Sequence, residues 1–183
     1  QMGFELSPEH KLLITSSYPA IGAKEKDQDE IVSAEGHLLL EVGNKQKTTS
    51  AKVISYGKVQ QILFSKDLAA LGIQQIMEIL ERAPLNPPVS YVVIVDGSPK
   101  ELLEKAETFT TKPRSTLYIN QLLLNNINSA TTPDTCTYDF IIRYFAPGLD
   151  PITPLVKLET DGIRVLGSAL FAGDKLVGTI DPQ

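Results

Sequence analysis

Five apolar residues in a row, Tyr91-Val92-Val93-Ile94-Val95, lead straight into Asp96-Gly97-Ser98-Pro99, and no other stretch constrains the chain as tightly. A strand that is apolar at every position, not at alternate ones, is buried on both faces, so this segment predicts a central strand. The next residues read as a helix start. Ser98 stands at the N-cap of "SPKELLEKAE", Pro99 at the first helical position, and Glu101 is placed to complete a capping box.

The rest of the chain arranges itself around that strand. "QMGFEL" reads as the end of a strand, and Leu12 to Pro19 as an extended run followed by "GAKEKDQDE", a charged, solvated loop. From Ser33, "SAEGHLLLEVGNKQKTTSA" predicts a helix with Leu38, Leu39 and Val42 on one side, although Gly36 and Gly43 are poor helix residues. "KVQQILFS" is strand-like. Ser65 then caps a helical stretch that pauses at Gly72 and resumes with Ile73, Ile76, Met77 and Leu80 at helical spacing, until Pro84, Pro87 and Pro88 stop it. Helices are expected over 114–128 and 137–146. "DPITPLVKLE" leads to a closing hairpin, "RVLGSALFAGDKLVGTID", in which Val165, Gly167, Ala169 and Phe171 alternate with Leu166, Ser168 and Leu170 before a tight "AGDK" turn. The fold class is therefore α/β (α+β), a mixed β-sheet packed with several helices and closing on a C-terminal β-hairpin. At 183 residues the chain fits a single domain, 1–183, with no internal repeat.

Composition narrows the function classes. Apolar residues make up 42% and charged residues 21%, and no run approaches the roughly 18 apolar residues of a membrane-spanning helix. The net charge of -5 argues against nucleic acid as a partner, since phosphate-backbone binding needs clustered Lys and Arg. Cys136 is the single cysteine and can form no internal disulfide. The first residues show no charged-then-apolar leader, and the abrupt start inside a strand suggests that the natural start lies upstream.

Candidate chemistry is sparse. "VIVDGSPKELLEK" is a strand running into a capped helix, a place where α/β folds often hold phosphate, but the chain carries no GxxxxGK[ST] and no GxGxxG. A thiol hydrolase would need Cys136 beside His10 or His37, each of which has a plain structural explanation in a turn or at a helix start. Two distant histidines and one thiol make no recognisable metal shell. The carboxylate groups Asp134 with Asp139, and Asp27 with Asp29 and Glu30, fall in polar segments where solvated charge is the default. These residues predict no catalytic site, no metal and no cofactor. The chain does not read as an enzyme.

"TYDFIIRYFAPG" is the one strongly amphipathic aromatic stretch. At about 100° per residue, Tyr138, Ile141, Ile142 and Phe145 share a stripe expected to pack on the core, and Phe140 with Tyr144 lies nearly opposite, either a candidate partner contact or a second face that another helix buries inside the domain. Asp139 and Arg143 fall between the two.

Taken in order, "VSAEGHLLLE", "ILFSKDLAALGI", "ILERAP", "VVIVDGSPKELLE", "LYINQLLLNN", "DPITPLVKLE" and "LGSALFAGDKLVGTID" resemble the N-terminal domain of the Ger(x)C family, from about Phe4 to Asp181. That family comprises the C subunits of the nutrient germinant receptors of spore-forming bacteria. The resemblance implies a non-enzymatic lipoprotein subunit on the outer face of the inner spore membrane, working with integral-membrane A and B subunits. It also implies that the family's signal peptide, lipidated cysteine and usual first strand are missing here, with everything after the hairpin. Three readings remain distinct. An interaction or scaffold domain needs an apolar surface patch, a germinant-binding domain needs a concave pocket of aromatic and polar residues, and a hydrolase needs Cys136 near a histidine.

Overall fold

β5 (Tyr91–Val95) lies inside the sheet, as its unbroken apolar run requires. The computed structural model describes residues 1–19, 29–49, 58–82, 88–109 and 113–182. Among these residues one mixed sheet is formed by β1 (Met2–Leu6), β2 (Leu12–Pro19), β3 (Asp29–Gly36), β4 (Gln61–Ser65), β5, β6 (Ile152–Glu159), β7 (Gly162–Ala172) and β8 (Lys175–Ile180), in the spatial order β3-β2-β1-β4-β5-β6-β7-β8. The middle four, β1, β4, β5 and β6, run parallel. Antiparallel pairs extend the sheet on either side, β2 with β3 at one edge and β7 with β8 at the other.

Helices cover both faces, and strand alternation sorts the residues that meet them. On one face Phe4, Ile62, Phe64, Val92 and Ile94 pack against α1 (Leu39–Thr49), α2 (Lys66–Leu71), α3 (Gln74–Arg82) and α6 (Thr137–Phe145), through Val42, Leu68, Met77 and Phe140. On the other, Leu63, Val93, Val95 and Val156 meet α4 (Pro99–Ala106) and α5 (Ser115–Asn128), through Leu102, Leu103, Ile119 and Leu123. The central strands are thus buried twice over. This is the expected mixed sheet with packed helices and a C-terminal hairpin.

Two expectations shift in register. The predicted helix from Ser33 is strand up to Gly36, because Ser33 to Gly36 pair with Thr15 to Leu12 of β2, and helix only from Leu39. Leu38 is consequently exposed, while Val42 is buried. Gln46, fully buried, ties α1 to the sheet by donating to the Ile14 and Val32 carbonyls and accepting from Ser16. The other shift lies in the hairpin. Leu155 pairs with Gly167 but Val156 pairs with Val165, so Leu166 is an extra residue in β7. Such a bulge reverses side-chain parity. Ile163 and Val165 therefore face α4 and α5, whereas Ala169 and Phe171 face the opposite layer, although simple alternation puts all four together. Gly167, at φ 122, fits the spot because a Cβ there would collide with the Ile180 carbonyl. The "GAKEKDQDE" loop, apart from Asp29 and Glu30 which begin β3, lies outside the described residues, as do Asp27, Pro84 and Pro87.

Candidate functional site

The crevice between the carboxyl ends of β4 and β5 is the natural ligand position in a sheet of this kind. β4 hands the chain to α2 on one face of the sheet and β5 hands it to α4 on the other, and α/β folds commonly bind phosphates where the connections part in this way. Here the anion position at the start of α4 is taken from within. Ser98 caps α4, its Oγ accepting from the Glu101 N–H at 3.1 Å, and the same hydroxyl is 2.9 and 3.0 Å from the two carboxylate oxygens of Glu5. Glu5 Oε2 also accepts from the Lys100 N–H at 2.8 Å. A carboxylate from β1 therefore stands where a phosphate would bind a helix N-terminus. The first turn of α4 reaches it because β1 carries Gly3, where a Cβ would come within 2.9 Å of Pro99 Cβ. Asp96, beside the cap, is shared by Lys66 at 3.5 Å and Lys157 at 3.6 Å.

Cys136 lies at the other end of the sheet. It bridges to Tyr91, the first residue of β5, and serves as N-cap of α6. Its Sγ donates to Asp139 Oδ2 at 2.9 Å, and its N–H donates to the same oxygen at 3.3 Å. Burial pushes the thiol pKa up, and the hydrogen bond to Asp139 pushes it further. That is the opposite of an activated nucleophile. His10 sits in the turn after β1 and His37 follows β3, both at the carboxyl end of the parallel strands. His10 donates its N–H to the Ser7 carbonyl and His37 donates its N–H to Glu41. The structure does not bring Cys136 together with either. Asp134 is exposed and Asp139 is spent on the cap.

Asp29 departs from its expected solvated state. It is 9% exposed, and its Oδ2 accepts from Ser17 at 3.4 Å, Ser115 at 3.2 Å and Thr116 at 3.5 Å. Ser115 and Thr116 open α5, whose own N-cap, Arg114, supplies no side-chain bond to it. Both helices on this face of the sheet thus take their terminal carboxylate from a strand, Glu5 for α4 and Asp29 for α5.

The remaining feature is the surface of α6. Phe140 is 1% exposed and packs edge to face on Phe171, so the stripe expected on the core and the stripe expected outside exchange places. Tyr138, Ile142 and Phe145 are 60%, 44% and 61% exposed, and Ile141 is partly buried against the core. Helical arithmetic finds two stripes but cannot say which one meets Phe171. Tyr144 is half-buried, near the Gly173 turn, with its ring 4.8 Å from that of Phe145. Val89 and Leu149 are also exposed and lie past the two ends of the helix, Val89 next to the Pro88 carbonyl that accepts from the Tyr138 N–H.

Comparison with known proteins meets this geometry. Residues 1–158, which run from β1 almost to the end of β6, match the family described as the spore germination protein N-terminal domain. The chain belongs to that family. It is similar to spore germination protein GerQC of Bacillus cereus, 24% identical over 180 residues that make up 98% of this chain and 50% of GerQC. It is also similar to the putative spore germination protein YfkR of Bacillus subtilis (strain 168), 22% identical over 157 residues, 79% of this chain and 38% of YfkR. The chain therefore spans half or less of the length of these curated relatives. No solved structure matches it. Membership supports a role in spore germination, and the relatives are named as germination proteins, not as enzymes.

In this spore germination domain β7 and β8 lie beyond the family match yet complete the same sheet and core. A recess of about 370 Å³ opens where α5 ends against β8, bordered by Ser129, Thr131, Ser168 and Asp181. Its lining includes no aromatic residue, and the Ser129 and Thr131 hydroxyls bond each other. Among the described residues no group of three or more His, Cys, Asp or Glu could hold a metal, and no helix is long and apolar enough to cross a membrane. Sequence reasoning missed Glu5 and Asp29, whose partners are about 90 residues away along the chain, with separations of 93 for Ser98 and 86 for Ser115. No local signal marks either one.

Proposed function

We propose that this chain is the N-terminal interaction domain, 1–183, of a longer germinant-receptor C subunit, a scaffold without catalytic activity of its own. In this reading a lipid on its N-terminal side holds it at the outer face of the inner spore membrane. The outward face of α6, Tyr138, Ile142 and Phe145 with Tyr144 at its margin, meets the integral-membrane A and B subunits. The observation that carries the proposal is that face, because three large apolar side chains in water on one short helix are what a partner contact requires. Family membership supports the setting, and so does the greater length of the relatives. The occupied start of α4 and the capped thiol agree with a scaffold, since both sets of polar groups are already used within the domain.

Direct germinant binding is the competing role, and one titration separates the two. Isothermal calorimetry of the chain with amino acids and sugars is expected to give no saturable heat below about 1 mM, the affinity range where binding free energy falls to about 4 kcal/mol. Saturation at lower concentration replaces the scaffold reading with a receptor pocket.

A further inference from the structure

Carboxylates stand at both ends of α6. Asp134, two residues before the Cys136 cap, is exposed. Past the other end Asp150 Oδ1 accepts from the Gly173 N–H at 2.9 Å, and Asp174, the residue after Gly173, accepts from the Gln74 N–H at 3.3 Å. That turn lies against the helix, since a Cβ on Gly173 would be 3.8 Å from Tyr144 Cε2. Tyr144 reports the same surroundings. Its phenol pKa is pushed up by burial first, then by Asp174 and Glu78.

These charges are not neutralised within the domain. Among the described residues none of Asp134, Asp150 and Asp174 has a Lys or Arg within ion-pair reach. Against them stand Arg82, already paired with Glu78 at 3.5 Å, Arg143 on the helix itself, and Lys175 after Asp174. The negative end of the α6 backbone dipole adds to the side where Asp150 and Asp174 lie. The exposed Tyr138, Ile142 and Phe145 are thus bracketed by acid.

We infer that this surface takes a cationic amphipathic segment of a protein partner, its apolar side chains over Tyr138, Ile142 and Phe145 and its Lys or Arg side chains at Asp134, Asp150 and Asp174. An apolar centre inside a charged rim is the ordinary anatomy of a protein interface, and rim charges of opposite sign steer the partner and fix its register. A bilayer with anionic headgroups fits less well, because such a surface attracts basic segments and repels acidic ones. The inference rests on α6 being the partner surface and adds the chemistry of what lands there.

The test is how much of the integral-membrane receptor subunits stays on the full-length subunit, solubilised from spores, as salt is raised. Asp134→Asn/Asp150→Asn/Asp174→Asn keeps acceptor oxygens for Gly173 and Gln74. It is expected to retain roughly three- to tenfold less partner than wild type in low salt, and to lose most of the salt sensitivity that wild type shows. Asp161→Asn/Asp181→Asn, which neutralises two exposed carboxylates elsewhere, is expected to behave as wild type. Asp134→Asn alone has no side-chain hydrogen bond to lose among the described residues, and its smaller drop decides the matter if the triple variant does not fold. Equal retention by wild type and the neutralised variants overturns the inference and leaves the α6 reading standing, whereas retention that survives Tyr138→Ser/Ile142→Ser/Phe145→Ser defeats both. An equal drop in Asp161→Asn/Asp181→Asn reduces the effect to net charge and also overturns it. So does binding of the isolated chain to phosphatidylglycerol vesicles that is lost in the Tyr138, Ile142 and Phe145 variant, which makes the occupant a bilayer.

Discussion

Phe140 and Phe171 meet edge to face, with ring centroids 5.1 Å apart and planes at 88°. The contact fastens α6 to β7 and puts the helix's most buried aromatic under the sheet, not on the surface. Phe140→Ala is expected to lower stability by about 3–5 kcal/mol, the usual range for deleting a packed phenyl group. Denaturant unfolding of the chain measures it. Tyr144→Ser, at a half-buried site, is expected to cost clearly less.

Glu5 acts as a built-in anion at the start of α4. Glu5→Gln keeps the shape but discards the charge that faces the Ser98 hydroxyl and the Lys100 N–H, and about 1 kcal/mol of stability should go with it. The loss should shrink as salt is added, because a partly exposed cap charge is screened. An unchanged unfolding midpoint in low salt contradicts the cap assignment.

Local sequence carries much of this fold and little of its surface. The unbroken apolar run of β5 announces a central strand, and Ser65 and Ser98 announce helix starts, because those signals are complete within ten residues. Longer-range relations are silent. Asp29 sits in a run of charges that reads as solvated, and it is buried only because Ser17, Ser115 and Thr116 close over it. The bulge at Leu166 is marked locally only by the neighbouring Gly167, and it decides which layer Val165 and Phe171 face. Helical periodicity separates the two stripes of α6 correctly and cannot say which is buried, since the choice between them is made by β7 rather than by the helix.

Cys136 should behave as a sheltered thiol. Its pKa is raised, first by burial and then by Asp139, so alkylation by iodoacetamide at pH 8 is expected to be slower than for a free cysteine. The linkage has a definite sign. Because the folded thiol holds its proton to higher pH than the unfolded one, its contribution to stability is complete below the ordinary thiol range and is lost as pH rises through the folded value. Wild-type protein should therefore lose more stability than Cys136→Ser over the alkaline window that opens above the ordinary thiol value of about 8.5. Below that window the substitution should change little, and parallel pH profiles for the two proteins contradict the assignment.

The outward face of α6 offers the most direct test of the proposed role. Tyr138, Ile142 and Phe145, replaced together by Ser in the full-length subunit, should leave the isolated domain within about 1 kcal/mol of wild-type stability, because exposed side chains contribute little to the fold. The same triple variant should fail to co-purify with the integral-membrane receptor subunits from spores, and those spores should respond poorly to nutrient. Normal assembly and germination in a stably folded variant contradict the account, and so does a loss of domain stability well above about 2 kcal/mol, which marks the face as core.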